Sequence, residues 1–125
     1  LLNTINRSSA ISSGKFYDLQ YVNRHHLSEG FNEKYLYAYI RYNEKERVIV
    51  IANFNKEESY EVSLKVPKDA LSLMKCDEQS TFNFYDILNE EAIGDFQAQA
   101  FTKLNDRHSG IKIKMETCSA RIIQF

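Results

Sequence analysis

The chain has 125 residues, with 16 Lys and Arg against 17 Asp and Glu, two Cys, one Pro and no Trp. That length suits one domain with one core and excludes a (β/α)8 barrel, which takes at least about 200 residues; the balanced charge offers no basic field for phosphates, which speaks against nucleic acid as a partner. The longest apolar stretch, Val48-Ile49-Val50-Ile51-Ala52, is far short of the roughly 20 residues that span a bilayer, so no membrane segment is expected.

Residues 1–13 differ from the rest. Leu1, Leu2 and Ile5 recur at helical spacing and run out into Asn6-Arg7-Ser8-Ser9 and Ser12-Ser13-Gly14, which predicts the last turns of a helix and its exit loop. With no initiating Met ahead of Leu1, this stub reads as the end of a preceding unit, and residues 14–125 as the domain proper. From Lys15 the pattern changes to short aromatic and β-branched runs separated by polar turns, which predicts an all-β domain.

A first strand is expected over residues 15–22 and a polar surface connection over 23–34. Residues 35–42 and 47–54 then form a hairpin about the turn Asn43-Glu44-Lys45-Glu46. The second of these runs is apolar at successive positions, the pattern of a central strand covered on both faces. Residues 59–66 alternate, with Tyr60, Val62, Leu64 and Val66 inward and Glu61, Ser63 and Lys65 outward. Pro67 ends that run, and residues 68–74 fit either one helical turn or an extended crossover. Strands over 82–88 and 96–104 flank an acidic turn at 89–94. Ile111, Ile113 and Met115 alternate with Lys112, Lys114 and Glu116, and 120–125 closes the chain. Seven or eight such runs predict an antiparallel Greek-key β-sandwich.

Few groupings invite chemistry. His25-His26 with Glu29 offers imidazole and carboxylate at close spacing, but adjacent histidines diverge on most backbones and His108 is remote in sequence, so no metal site is assigned. Cys76 and Cys118 form no CxxC; buried thiols are favoured over one disulfide in a domain that needs no staple. Asp86, Glu90, Glu91 and Asp95 cluster in a turn, where nothing holds two carboxylates across a substrate cleft as glycosidic hydrolysis requires, and a solvated turn is expected. Tyr35, Tyr37 and Tyr39 fall on one strand face, where rings can stack on sugars; packing in a core or a domain interface is the favoured reading.

The order of segments resembles a known family. Residues 6–16, Asn-Arg-Ser-Ser-Ala-Ile-Ser-Ser-Gly-Lys-Phe, resemble the junction in α-amylase family glycoside hydrolases where the last barrel helix hands over to the C-terminal domain. Tyr37-Ala38-Tyr39-Ile40-Arg41-Tyr42 followed by Arg47-Val48-Ile49-Val50-Ile51-Ala52-Asn53-Phe54 looks like that domain's hairpin, with an Arg ending one strand and Asn-Phe the next. Residues 110–115 and 119–123 are similar to its closing strands, while 67–104 match least distinctly. The resemblance implies a non-catalytic C-terminal domain of an α-glucan-degrading hydrolase, packing against and stabilising the catalytic barrel of the same polypeptide. The family's catalytic carboxylates lie on barrel strands, so no catalytic, metal or cofactor residue carries over and no cofactor is expected. Leu1, Leu2, Ile5, Phe16 and Tyr17 are the residues expected at the barrel interface. The alternative is a starch- or maltodextrin-binding module with Tyr35, Tyr37 and Tyr39 as stacking residues, against which the lack of Trp counts. The compartment is not legible in this sequence.

Overall fold

The computed structural model describes residues 14–24, 27–77 and 79–125. The expected helix stub with Leu1, Leu2 and Ile5, and the His25-His26 pair, lie outside the described residues. Among the described residues eight strands follow one another as β1 (Lys15–Asp18), β2 (Leu36–Tyr42), β3 (Arg47–Asn53), β4 (Tyr60–Leu64), β5 (Thr81–Asp86), β6 (Glu91–Gln97), β7 (Ile111–Met115) and β8 (Ala120–Gln124). Two short helices interrupt them, α1 (Lys68–Leu73) before β5 and α2 (Ala98–Phe101) after β6. The strands form a six-stranded sheet ordered β1-β2-β3-β8-β5-β6 and a two-stranded sheet of β4 and β7, every pairing antiparallel. The chain is therefore an all-β sandwich. The connections β3–β4, β4–β5, β6–β7 and β7–β8 each pass between sheets, and β8 inserts between β3 and β5. Neighbours so distant in sequence are what Greek-key wiring produces and a meander does not.

The β2–β3 hairpin closes where the sequence places it. Tyr42 pairs with Arg47, and the Asn43 Oδ1 accepts from the backbone N–H groups of Lys45 and Glu46, an Asx turn that fixes the register. Leu36, Ala38, Ile40, Ile49 and Ile51 then face the core, meeting Val62, Leu64, Ile111, Ile113 and Met115 from the two-stranded sheet. One end of this core is aromatic: Phe84 packs edge-on to Phe96 and Phe101 and stacks on Phe125. Arg47 closes that end, with its guanidinium 5.5 Å from the Phe82 ring centroid and 5.3 Å from that of Phe125 while its Nε donates to the Phe125 carbonyl.

Several expectations fail for identifiable reasons. β1 ends at Asp18, whose carboxylate accepts from the Gln20 N–H and starts a turn. The connection expected on the surface over 23–34 instead buries Asn23, Ser28 and Phe31. It lies along the free edge of β4, where the Ser63 N–H donates to the Glu29 carbonyl and Asn23 bonds both backbone groups of Lys65. That contact protects an edge strand, and it also roofs Ser63 and Lys65, which alternation sends outward but which are buried. Gly30 makes the approach possible: its φ is +78°, and a Cβ there would sit 1.8 Å from the Glu61 carbonyl oxygen. Residues 68–73 take the helical option, as α1. The strand expected over 96–104 stops at Gln97 and turns into α2, because Ala98 and Phe101 are drawn into the core together. The acidic turn shortens, since β6 already begins at Glu91.

Candidate functional site

Alternation sorts the outward residues into two faces of opposite chemistry. On the two-stranded sheet Glu61 pairs with Lys114, and Ser63 with Lys112, whose Nζ donates to the Ser63 hydroxyl at 2.6 Å. Glu61, Lys112 and Lys114 make a solvated polar face, with Ser63 buried at its roofed end. Beside it the loops 27–31 and 105–110 meet, and Glu29 and His108 form an exposed hydrogen-bonded pair across them. Sequence distance hid this contact. The bond to His108 and its charge hold the Glu29 carboxyl below its ordinary range, helped by Lys112 and Arg107. Beneath the same loops the Lys65 Nζ donates to the Ser109 carbonyl at 2.7 Å, and burial pushes its pKa down against the pull of Asp106.

The six-stranded sheet presents the other face. Because Leu36, Ala38 and Ile40 point inward, Tyr37, Tyr39 and Arg41 point outward; the register sets them beside Ala52, Val50 and Val48 of β3, which in turn lie beside Ala120, Ile122 and Gln124 of β8. Val48 and Ile122 are buried here in a second apolar cluster, packed with Val50 and with Ile87 and Leu88 from the turn after β5. On the β1–β2 flank the apolar surface meets solvent: Phe16 is 51% and Tyr37 43% exposed. The rings form a chain, Phe16 to Tyr39 at 5.1 Å and Tyr39 to Tyr37 at 5.7 Å between centroids, tilted by 32° and 59°. Exposed aromatic residues continuous with a buried apolar patch mark an interaction surface more than isolated surface rings do.

The residues singled out from sequence divide accordingly. Phe16 belongs to the outer face, whereas its neighbour Tyr17 packs against the main core, where burial and a 2.7 Å bond to the Tyr21 hydroxyl push its phenol pKa up. Tyr35 precedes β2 and is half-exposed, next to the exposed Phe54 whose N–H donates to the Tyr35 carbonyl. Tyr37 and Tyr39 lie on the outer face and outside the core. Asp86 is no solvated turn residue. It is fully buried, accepts from the Leu88 and Asn89 N–H groups and from the Asn89 side chain, and pairs with Arg121 at 3.0 Å, which also reaches Glu91. Those bonds commit its oxygens to holding the turn. Asn53, in the Asn-Phe pair, donates to the carbonyls of Glu58 and Glu116 and so ties two loops. Cys76 is half-buried with its Sγ 3.0 Å from the Arg47 guanidinium, Cys118 is exposed, and both are free thiols.

Sequence reasoning missed Lys65 and Ile122. Nothing in alternation marks Lys65 as buried, but the two-sided apolarity of β3 did imply a cover on the outer side of Val48. Among the described residues no three His, Cys, Asp or Glu side chains gather as a metal site would need, and no helix is long and apolar enough to cross a membrane. Protein-family models, curated proteins and solved structures give no match to the chain.

Proposed function

We propose that this chain is the non-catalytic C-terminal sandwich of an α-glucan-degrading glycoside hydrolase of the α-amylase kind, and that the outer face of its six-stranded sheet packs against the catalytic barrel of the same polypeptide. The observation that carries the reading is the apolar outer face, where buried Val48 and Ile122 grade into exposed Phe16 and Tyr37. A sheet that ended in solvent on this side would alternate to polar residues, as β7 does on the opposite sheet. The segment order that resembles the family supplies the identity of the partner. In this reading the domain has no hydrolytic chemistry of its own, and it stabilises the barrel by removing apolar area from water.

A second reading, a maltodextrin-binding module, draws support from the Phe16, Tyr39 and Tyr37 rings. Their mutual tilts give no common plane on which a sugar could lie flat, and this favours packing. The test is an assay of the full-length polypeptide and of the 125-residue chain on starch and maltodextrins, with maltodextrin titration of the chain followed by tyrosine fluorescence. Hydrolysis by the full-length protein, with neither hydrolysis nor saturable binding by the chain, is the expected result. Saturable binding lost in Tyr37→Ala would favour the second reading, and a full-length protein inert on α-glucans would overturn the first.

A further inference from the structure

Within the apolar flank sits a half-buried arginine with no ion pair among the described residues. Arg41 points outward from β2, set between Phe16 of β1 and Val48 of β3 by the register. Its Nε is shut off from solvent and has no hydrogen-bond partner, and the guanidinium forms no ion pair with any described residue. A buried donor left unpaired costs the full desolvation of the group, and more for a charged one. The other arginines whose bonds are described are committed: Arg47 to the Phe125 carbonyl, Arg121 to Asp86 and Glu91.

We propose that Arg41 is the polar anchor of the docking face, donating through its fork to a carboxylate that the barrel brings onto the β1–β2–β3 flank. This rests on the reading of the face as a barrel-packing surface. A carboxylate fits because the surroundings are apolar: a neutral carbonyl would satisfy one N–H and leave the charge uncompensated, whereas a carboxylate accepts two parallel bonds and neutralises it. Apolar residues around the pair would exclude water, the setting in which an interface arginine dominates binding.

Hydrogen exchange on the full-length polypeptide tests this, comparing wild type with Arg41→Met, Arg41→Lys and Tyr37→Asp. Arg41→Met is expected to speed exchange about tenfold or more in segments outside residues 1–125 as well as in β1 and β2. Arg41→Lys keeps a charge and the stem but loses the fork, so a smaller rise is expected; it provides the readout if the Met variant does not fold, and wild-type rates in it would overturn the proposal. Tyr37→Asp probes the face alone. If it speeds exchange outside the chain and Arg41→Met does not, the face docks and the anchor is wrong. If neither variant does so, the docking reading itself falls. Changes from Arg41→Met confined to residues 1–125 would place the acceptor within the chain and contradict the proposal.

Discussion

On β4 and β7 the outward positions hold Glu61, Ser63, Lys112 and Lys114; on β2, β3 and β8 they hold Tyr37, Tyr39, Val48, Val50 and Ile122. Both sets face away from the same core and both obey the two-residue period of a strand. The difference lies in what each face meets. The small sheet meets water at Glu61, Lys112 and Lys114 and is roofed where the loops around Gly30 and Gly110 press on β4. The large sheet is apolar well beyond what Ile87 and Leu88 cover, and Arg41, whose buried Nε has no hydrogen-bond partner, stands in its flank. A sandwich with one wet face and one apolar face has a direction, and direction is what a domain needs if it is to sit on another.

The contrast breaks most severely at the roofed end. Gly30→Ala would force a side chain into the β4 backbone at a left-handed φ, and a loss of about 4 kcal/mol or more, or failure to fold, is expected in chemical denaturation. A near-neutral result would mean the loop does not press on β4. Next comes the apolar face itself: Val48→Ala removes buried methyls and should cost about 1–3 kcal/mol, despite lying outside the main core. If it behaved as a surface change, the second cluster would not be packed.

Lys65 sharpens the comparison through pH. Its pKa in the folded chain lies below the ordinary 10.5, so between that lowered value and 10.5 the unfolded chain holds a proton that the folded chain has released. Stability contributed by this group therefore rises with pH across that window, and below it the buried charge is a cost. Lys65→Met should abolish the rise, which denaturation midpoints at stepped alkaline pH would show; an unchanged pH profile would mean the ammonium is solvated. The smallest effect is expected on the wet face, where Lys114→Ala, which loses only an exposed pair with Glu116, should fall within about 0.5 kcal/mol of wild type. A loss as large as that of Val48→Ala would erase the distinction between the faces.

Much of this was legible in the residues. Alternation in Ile111-Lys112-Ile113-Lys114-Met115 gives the wet face directly, and continuous apolarity in Val48-Ile49-Val50-Ile51 gives a strand covered twice. The hairpin follows from two β-rich runs flanking the short polar turn at 43–46. What was not legible depended on contacts between distant segments: Lys65 reads as a solvent-facing lysine until residues 23–31 are known to fold along β4, and Asp86 reads as a turn carboxylate until Arg121 arrives from the far end of the chain. Phe16 and Tyr17 were both expected at an interface, but neighbours on a strand face opposite ways, and the register sends Phe16 out and Tyr17 in. Arg41 was visible as a residue near the end of β2, but its unpartnered Nε exists only in three dimensions.

The central claim is that the large sheet's outer face is covered by another part of the polypeptide and the small sheet's is not. A photo-reactive phenylalanine analogue placed at position 37 or at position 114 of the full-length protein, followed by mass spectrometry of the cross-linked peptides, measures this directly. The account predicts adducts from position 37 to segments outside residues 1–125 and none of comparable yield from position 114. Equal yields from the two positions, or adducts from position 37 only within the chain, would contradict it.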